Sequence, residues 1–216
     1  MLELISLEID CDLPEEKYLL LSECVSSEKR VRINRLSNRR KAIDVLMGEI
    51  IVRQAICTRT GIRNEDLRFS TNAYGKPYLT NDPNVQFNIS HSAGLVICAI
   101  NDKVVGVDIE LIKPANLNIA RRFFCDEEYE FVVNTDSVEA FYKIWTMKES
   151  YIKWDGRGLS IPLRSFNVLE IERRGSPIFR RVFVRPDACC HVCSDTVDIG
   201  CHSHYKLSEF SIVRCF

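Results

Sequence analysis

The feature that most constrains the fold is a pair of apolar runs on either side of a turn. The runs are GLVICAI (94 to 100) and VVGVDI (104 to 109), and Asn101 and Asp102 lie between them. Each run is as long as a strand and rich in β-branched residues, whereas Asn and Asp favour a reversal of the chain. The sequence therefore predicts two consecutive buried strands near its middle.

Two acids close the second run. Asp108 and Glu110 are two residues apart, so their side chains leave the same face of a strand. Charges at the end of an apolar strand are costly unless a positive group joins them. Mg²⁺ prefers oxygen ligands and is usually held by one or two carboxylates together with substrate phosphates. The pair therefore indicates a divalent-cation site with a phosphate substrate, and the simpler alternative is a pair of solvated acids.

A third acid lies on a predicted helix. Apolar residues recur at helical spacing from about 136 to 154, which predicts an amphipathic helix there. Trp145, Glu149 and Lys153 form one i, i+4, i+8 stripe on it, so a carboxylate and an amine stand one turn apart beside an aromatic ring. Glu149 is thus a third candidate ligand for the cation, unless it forms only an ordinary surface ion pair with Lys153.

A glycine, lysine and proline turn suits phosphate binding. In GKPYL (75 to 79), Gly75 permits a tight turn and Pro77 fixes the direction in which the chain leaves it. Lys76 between them is a point charge of the kind that binds phosphate. The alternative is a surface turn that carries a lysine.

A histidine lies at the end of the next patterned segment. Apolar and polar residues alternate in FNISHS (87 to 92), as on a half-buried strand. His91 stands beside Ser90 there, where a phosphate could be bound. A lone His is more often a structural hydrogen-bonding group, which is the alternative.

Charge and hydropathy limit the class of protein. The net charge of −1 over 216 residues argues against a dedicated nucleic-acid binder. The basic residues between 29 and 41 are expected to form the exposed first half of a long helix that continues through 42 to 56. No segment approaches the roughly 20 apolar residues of a membrane span, and the strand-like N-terminal run lacks the features of a signal peptide. A cytoplasmic protein is expected, with its ten cysteines reduced.

The C-terminal part carries cysteines and histidines in CCHVC (189 to 193) and CHSH (201 to 204). This spacing is compatible with zinc. The first segment, however, alternates as a strand does, and free Cys behaves as a small apolar residue. The tail cysteines are therefore predicted to be core residues, with a zinc site as the alternative.

In their order and spacing, the motifs of this chain resemble those of the Sfp-type 4′-phosphopantetheinyl transferases. Those enzymes move the phosphopantetheine arm of coenzyme A onto a serine of a carrier protein. The resemblance spans nearly the whole chain, and its most specific part is WxxKExxxK followed by a Gly-rich turn. The segments that carry it are EKR (28 to 30), RFSTNAYGKPYL (68 to 79), FNISHS (87 to 92), GVDIE (106 to 110), ARRFFCDEEY (120 to 129) and WTMKESYIKWDGRGLSIPLRSF (145 to 166).

The resemblance implies an α/β (α+β) fold of two similar α/β subdomains, related by a pseudo-twofold, with the ligand cleft between them. Residues 1 to 103 would form the N-terminal subdomain, which holds the nucleotide of coenzyme A. Residues 104 to 216 would form the C-terminal subdomain, with the metal site, the catalytic helix and the carrier contacts. A monomer would supply every part, and neither nucleic acid nor a membrane is an expected partner.

The resemblance also implies roles for particular residues. Asp108, Glu110 and Glu149 would bind Mg²⁺, and the catalytic residues would be Asp108, Glu149 and Lys153. Contacts with coenzyme A are implied for Lys29, Arg32, Gly75, Lys76, Pro77, Ser90 and His91.

One position departs from the family pattern. Asp44 stands just before LMGE (46 to 49), where the family has a basic residue. Arg39, Arg40 and Lys41 are the candidates to take the place of that residue.

The implied reaction is a phosphoryl transfer to a serine. Mg²⁺ would bridge the pyrophosphate of coenzyme A, and Lys153 would assist the departure of adenosine 3′,5′-bisphosphate. Glu149 is the preferred base for the serine proton, with a metal-bound water as the alternative. The acceptors would be apo peptidyl or acyl carrier domains. The pattern is often linked to nonribosomal peptide and polyketide assembly, and thus to antibiotic biosynthesis, while relatives also serve fatty-acid and lysine pathways.

Carrier contacts are implied near 156 to 166. Leu159, Ile161 and Leu163 alternate in this segment and could equally form a buried strand. The rival functional class is a non-catalytic metal-binding or nucleotide-binding regulatory module that uses the Cys/His tail.

Overall fold

The computed structural model describes residues 1–196 and 198–210. Its helices are α1 (Glu15–Glu23), α2 (Ser27–Asn34), α3 (Arg39–Thr60), α4 (Leu117–Phe123), α5 (Asp126–Thr135), α6 (Val138–Asp155) and α7 (Val168–Arg174). Its strands are β1 (Leu2–Glu8), β2 (Phe69–Thr71), β3 (Pro77–Leu79), β4 (Gln86–Ser92), β5 (Leu95–Asn101), β6 (Val105–Leu111), β7 (Ile178–Arg181), β8 (Ala188–Ser194) and β9 (Ile199–Lys206). None of the helices in these residues is long and apolar enough to cross a membrane.

Two sheets and a short hairpin contain the strands. The first sheet has the order β4-β5-β1-β9, the second has the order β6-β8-β7, and β2 pairs with β3. Among these strand pairs only β1 and β9 run parallel. The mixture of helices with mainly antiparallel sheets confirms the predicted α/β (α+β) class.

The two central strands exist as predicted, but they lie in different sheets. β5 lies inside the first sheet, and β6 forms one edge of the second. The chain changes sheet in the turn that follows Asn101. β9 later returns to the first sheet and pairs with β1. The division into two subdomains at residue 103 stays a prediction.

Apolar side chains order these elements in layers. α3 packs against the first sheet through residues that include Met47, Ile51 and Val96. The two sheets share a core that includes Leu4, Ile97, Val107 and Cys190. α6 packs against the second sheet through residues that include Ile144, Met147 and Cys193. The layers are therefore α3, the first sheet, the second sheet and α6.

Polar side chains of β4 also join the two sheets. Alternate residues of a strand point to the same side, and three polar residues of β4 point toward β6. Their side-chain oxygens accept hydrogen bonds from backbone N–H groups on the edge of β6. The contacts run from Val107 N–H to Asn88 (2.9 Å), from Ile109 N–H to Ser90 (3.3 Å) and from Leu111 N–H to Ser92 (3.4 Å). This edge of β6 is thereby satisfied by side chains instead of another strand.

The prediction of one long basic helix is wrong. α2 ends at Asn34 and α3 begins at Arg39. Asn38 caps α3, because its side chain accepts a hydrogen bond from the N–H of Lys41 (3.0 Å). Asn is among the strongest N-cap residues, so a new helix begins there although the run of basic residues continues.

The apolar alternation after α6 does not produce a strand. Two 3₁₀ turns, Gly158–Ser160 and Leu163–Ser165, occupy this segment. Pro162 between them has no N–H to donate to a sheet. Leu159 is 78% exposed, whereas Leu163 is buried. The exposed leucine is therefore available to a partner.

The prediction that the tail cysteines are core residues is confirmed for β8 and is wrong for Cys201, which is exposed on β9. β8 carries Cys189, Cys190 and Cys193, and all three are buried. Within the residues that the structure describes, no group of three or more His, Cys, Asp or Glu side chains is arranged to hold a metal ion. Of the cysteines in the part of the chain that the structure describes, eight are free thiols, whereas Cys24 is disulfide-bonded. The expectation that every thiol is reduced is therefore wrong for Cys24.

A fully buried ion pair joins α5 to α6. Lys148 Nζ lies 2.7 Å from Glu128 Oε2, and neither side chain is exposed. The same ammonium donates to the carbonyl oxygens of Leu163 and Phe166, both at 2.7 Å, while Glu128 accepts two backbone N–H groups. These contacts satisfy both charges and fix the segment that follows α6.

Lys148→Met is expected to lower the free energy of unfolding by about 3–5 kcal/mol, because it leaves the Glu128 carboxylate buried without its cation. Urea unfolding at pH 7 measures this loss. Lys143→Met is the matched control on the same helix, since Lys143 pairs with Glu172 at an exposed site and the pair contributes at most about 1 kcal/mol. Equal losses in the two variants would contradict the interpretation.

Candidate active site

A glycine brings the predicted helix onto the acidic strand. α6 spans Val138–Asp155, which confirms the helix predicted from about 136 to 154. It crosses β6 so closely at Gly106 that a Cβ there would lie 2.0 Å from the carbonyl oxygen of Ser150. Only glycine permits this approach. The polar stripe of α6 consequently lies over the acids of β6.

Lys153 links α6 to the first of these acids. Its Nζ donates to Asp108 Oδ1 (2.6 Å), to Ser90 Oγ (3.0 Å) and to the carbonyl oxygen of Val107 (3.0 Å). Ser90 Oγ donates to the same oxygen of Asp108 (2.9 Å). The side chain of Asp108 is 5% exposed and that of Lys153 is 26% exposed. Residues from α6, β4 and β6 therefore meet at a largely buried ion pair.

Asp108 keeps one oxygen without a partner. Within the described residues, its Oδ2 is buried and has no hydrogen-bond partner. Such an oxygen is costly in a folded protein. A cation bound to Oδ2 would supply the missing interaction, so the residues present fit a metal ion at this position.

The other two acids of the cluster also favour a cation. Burial and the charges of Asp108 and Glu110 raise the pKa of Glu149 to about 7, and Lys153 opposes the rise. Burial and Asp108 raise the pKa of Glu110, while a hydrogen bond that Ser92 Oγ donates to Glu110 Oε2 (2.6 Å) opposes that rise. Carboxylates that raise one another's pKa are stabilised by a shared positive charge. The Lys153 ammonium supplies that positive charge in the structure. Within the described residues, the side chains of the three acids are not arranged as a complete set of metal ligands.

Ser90 and His91 point to opposite faces of β4, as consecutive strand residues do. Ser90 belongs to the carboxylate cluster, whereas His91 lies on the face that packs against α3. Burial lowers the pKa of His91, and the charge of Asp44 opposes this. A single phosphate would have to lie beyond the end of the strand to meet both side chains.

Lys76 attaches its turn to the end of α6. Its Nζ donates to the carbonyl oxygens of Lys153 (2.6 Å), Val105 (3.2 Å) and Trp154 (3.3 Å). Carbonyl groups at the C-terminus of a helix attract cations. Burial lowers the pKa of Lys76 to about 8. Gly75 makes the predicted turn with a φ of 87°, and Pro77 begins β3.

The two basic residues predicted for α2 differ in their surroundings. Lys29 Nζ lies 3.0 Å from Glu49 Oε2 of α3, and Glu49 also accepts a hydrogen bond from Arg53 Nε (3.0 Å). Arg32 is exposed. Lys29 is therefore held on α3 through an acid, while Arg32 remains open to a ligand.

The structure thus brings five of the predicted site residues together. They are Ser90, Asp108, Glu110, Glu149 and Lys153. Sequence reasoning missed two residues that hold this cluster in place, since Ser92 supports Glu110 and Gly106 admits α6. The polar alternation of FNISHS and the glycine of GVDIE were visible signals. Neither of them indicates which element will face the residue.

Comparisons with known proteins relate the sequence to a family. Residues 104–208 match the model of the 4′-phosphopantetheinyl transferase superfamily, and residues 13–103 match that of the 4′-phosphopantetheinyl transferase N-terminal region. The chain is 42% identical over 163 residues to the 4′-phosphopantetheinyl transferase Sfp of Bacillus subtilis (strain 168), which covers 74% of this chain and 73% of that protein. It is 38% identical over 203 residues to the 4′-phosphopantetheinyl transferase ffp of Bacillus subtilis, with 88% and 91% covered. It is 37% identical over 169 residues to the 4′-phosphopantetheinyl transferase gsp of Aneurinibacillus migulanus, with 77% and 70% covered.

Glu149→Gln is expected to stabilise the metal-free protein above neutral pH. The pKa of Glu149 is about 7 in the folded protein and 4.5 ordinarily, so its contribution to stability is full below about pH 4.5 and is lost as the pH rises through 7. The variant lacks this loss, and at pH 8 its free energy of unfolding should exceed that of the wild type by up to about 3 kcal/mol, because a rise of the pKa from 4.5 to about 7 corresponds to that free energy. Urea unfolding at pH 4.5 and pH 8 measures the difference.

Glu139→Gln is the control for this measurement, since Glu139 is exposed on the first turn of α6. The difference between its free energy of unfolding and that of the wild type should be the same at the two pH values. If both variants showed the same pH dependence, the raised pKa of Glu149 could not be its cause.

Proposed function

Since the chain belongs to the 4′-phosphopantetheinyl transferase superfamily, we propose that its carboxylate cluster is the catalytic centre. The protein is an enzyme that transfers the phosphopantetheine group of coenzyme A to carrier proteins. The observation that carries the assignment of the centre is Oδ2 of Asp108, which is buried beside the ammonium of Lys153 and has no hydrogen-bond partner among the described residues. A site that holds one cation in this way suits a substrate with several phosphates.

The proposed metal ligands are Asp108, Glu110 and Glu149, and the proposed ion is Mg²⁺. The three acids share a pocket in which burial and their own charges favour a positive partner. The bound ion would supply Lewis-acid stabilisation of the charge that develops on the pyrophosphate. Lys153 Nζ contacts Oδ1 of Asp108, so the ion would be held through Oδ2.

Lys153 is proposed to act on the leaving group. Its side chain is partly exposed beside the cluster, so its charge can reach the phosphate that carries the adenosine. The Oγ of the carrier serine forms a bond to the phosphorus of the pantetheine phosphate. The bond from that phosphorus to the bridging oxygen breaks, and adenosine 3′,5′-bisphosphate leaves with the electron pair. Lys153 stabilises the negative charge on the departing oxygen.

Glu149 is the proposed base for the proton of the serine. A carboxylate with a pKa of about 7 accepts a proton readily near neutral pH. A carboxylate that also binds a cation is a weaker base, so relay of the proton through a water molecule is the second route.

The remaining proposed contacts are with the nucleotide of coenzyme A. They are Lys29, Arg32, Gly75, Lys76, Pro77, Ser90 and His91. The carbonyl contacts of Lys76 support an indirect role, in which it holds the turn beside the end of α6. Arg32 is exposed and Lys29 is partly exposed, which leaves both accessible to a phosphate.

The proposed carrier contact is the segment from 156 to 166. Leu159 is 78% exposed, and Arg157 and Arg164 are exposed near it in sequence. An apolar side chain among basic residues suits the acidic helix of a carrier domain. Carrier domains of nonribosomal peptide synthesis remain the predicted acceptors, and the enzyme is proposed to act as a monomer.

Asp108→Ala and Glu149→Gln are each expected to lower kcat/KM at least about a hundredfold, because one removes a metal ligand and the other removes the base as well. Mass spectrometry of an apo carrier domain incubated with enzyme, Mg²⁺ and coenzyme A measures the gain of one phosphopantetheine arm. Glu139→Gln on the same helix should keep wild-type activity. A folded wild-type protein that binds coenzyme A and modifies none of several apo carriers would refute the assignment.

Mg²⁺ is expected to raise the melting temperature of the wild type by about 2–5 °C, because a ligand that binds only the folded state stabilises it. Asp108→Asn should show no such shift. Chelation by EDTA should also stop transfer by the wild type, and added Mg²⁺ should restore it. Equal shifts in the two proteins would rule out Asp108 as a ligand.

A further inference from the structure

Helix α3 lies very close to β4 at one point. A Cβ on Gly48 would lie 3.1 Å from Cγ2 of Ile89. Asp44 is one helical turn before Gly48, and His91 follows Ile89 on the same face of the strand. The close approach therefore sets Asp44 opposite His91, and the charge of each group acts on the pKa of the other.

Asp44 is a buried acid with incomplete hydrogen bonding. It is 5% exposed, and its Oδ2 accepts a long hydrogen bond from the N–H of Gly94 (3.4 Å). Its Oδ1 is buried without a hydrogen-bond partner among the described residues. Burial raises the pKa of this carboxyl group, and the Gly94 N–H and the charges of His91 and Arg40 oppose the rise. An acid in such a place is costly for stability, which points to a role in binding.

The other charged groups that act on His91 are basic. Lys153 approaches from α6 and Lys41 from α3, and both lower its pKa. Arg40 lies nearby on α3, where it donates a hydrogen bond to the carbonyl oxygen of Ile9. A phosphate bound at His91 would therefore be attracted by cations from two helices and repelled by Asp44.

We propose that Asp44 is a specificity-determining residue that weakens binding of the 3′-phosphate of coenzyme A. The inference rests on the proposed function, which places His91 among the contacts with the nucleotide of coenzyme A, and it takes the 3′-phosphate as the part of that nucleotide that His91 meets. A carboxylate beside a phosphate dianion in a partly buried site destabilises the bound state. A donor without the 3′-phosphate does not meet this repulsion. Asp44 therefore lowers the preference of the enzyme for coenzyme A over 3′-dephospho-coenzyme A.

Transfer kinetics with the two donors test this inference. The measured quantity is kcat/KM for coenzyme A divided by kcat/KM for 3′-dephospho-coenzyme A. Asp44→Asn should raise this ratio about tenfold, a modest value for removal of one nearby charge. The gain should come from a lower KM for coenzyme A, while the KM for the dephospho donor stays within about twofold. Asp44→Ser should change the ratio in the same direction, which separates the effect of charge from that of the amide.

Asp102→Asn is the matched control. It removes the same charge at an exposed position. Asp102 lies at the opposite end of β5 from Gly94, and its carboxylate pairs with the N-terminal amine. Its donor ratio should equal that of the wild type. A uniform effect of net charge would change the ratio in this variant too and would overturn the inference.

The inference is also overturned if both Asp44 variants leave the donor ratio unchanged. It is overturned as well if they lower the ratio, because a lower ratio means that Asp44 supports His91 as a phosphate ligand. The effect of Asp44→Asn should shrink in a His91→Gln background, and an undiminished effect would show that Asp44 acts elsewhere. A wild-type protein that transfers from neither donor would instead refute the proposed function.

Discussion

The contact between the polar side chains of β4 and the free edge of β6 is the interaction on which the rest of the structure depends. Asn88, Ser90 and Ser92 satisfy three backbone N–H groups that would otherwise face the neighbouring sheet without partners. The same contact fixes how far β6 stands from β4. Ser90 and Ser92 also reach Asp108 and Glu110, so one row of side chains joins the sheets and orients the acids.

The second constraint is the balance of charge beneath α6. Gly106 lets the helix approach until Lys153 meets Asp108. The site then contains three acids and one ammonium in a largely buried place, which is unfavourable without a further cation. This unfavourable balance is functional in the proposed mechanism, because it creates affinity for a metal ion and leaves Glu149 with a pKa near neutrality. Other contacts offset the free-energy cost of this site, for example the buried ion pair of Lys148 and Glu128, in which both charges have hydrogen-bond partners.

Much of the fold could be predicted because it rests on local patterns. The apolar runs of β5 and β6, the helical spacing of α6 and the alternation of β8 each lie within one segment and have one structural solution. The wrong prediction of one long basic helix, and the strand alternative after α6, arose where one local sequence signal competed with another. Asn38 begins a new helix within a continuous basic stretch, and Pro162 turns an alternating apolar segment away from strand geometry. Both signals are single residues, and periodicity over a window does not reveal them.

The sequence by itself determined which residues share a face, and hence that Asp108 lies beside Glu110 on one strand face and Glu149 beside Lys153 on one helix face. It also carried the motifs that relate this chain to its family. Only the tertiary structure decided that Ser90 joins the acids while His91 turns to Asp44, and that Lys76 binds the end of α6. The reason is physical. A face is set by the geometry of one strand or helix, whereas a partner is set by the packing of elements far apart in the chain, which depends on the fit of many side chains at once.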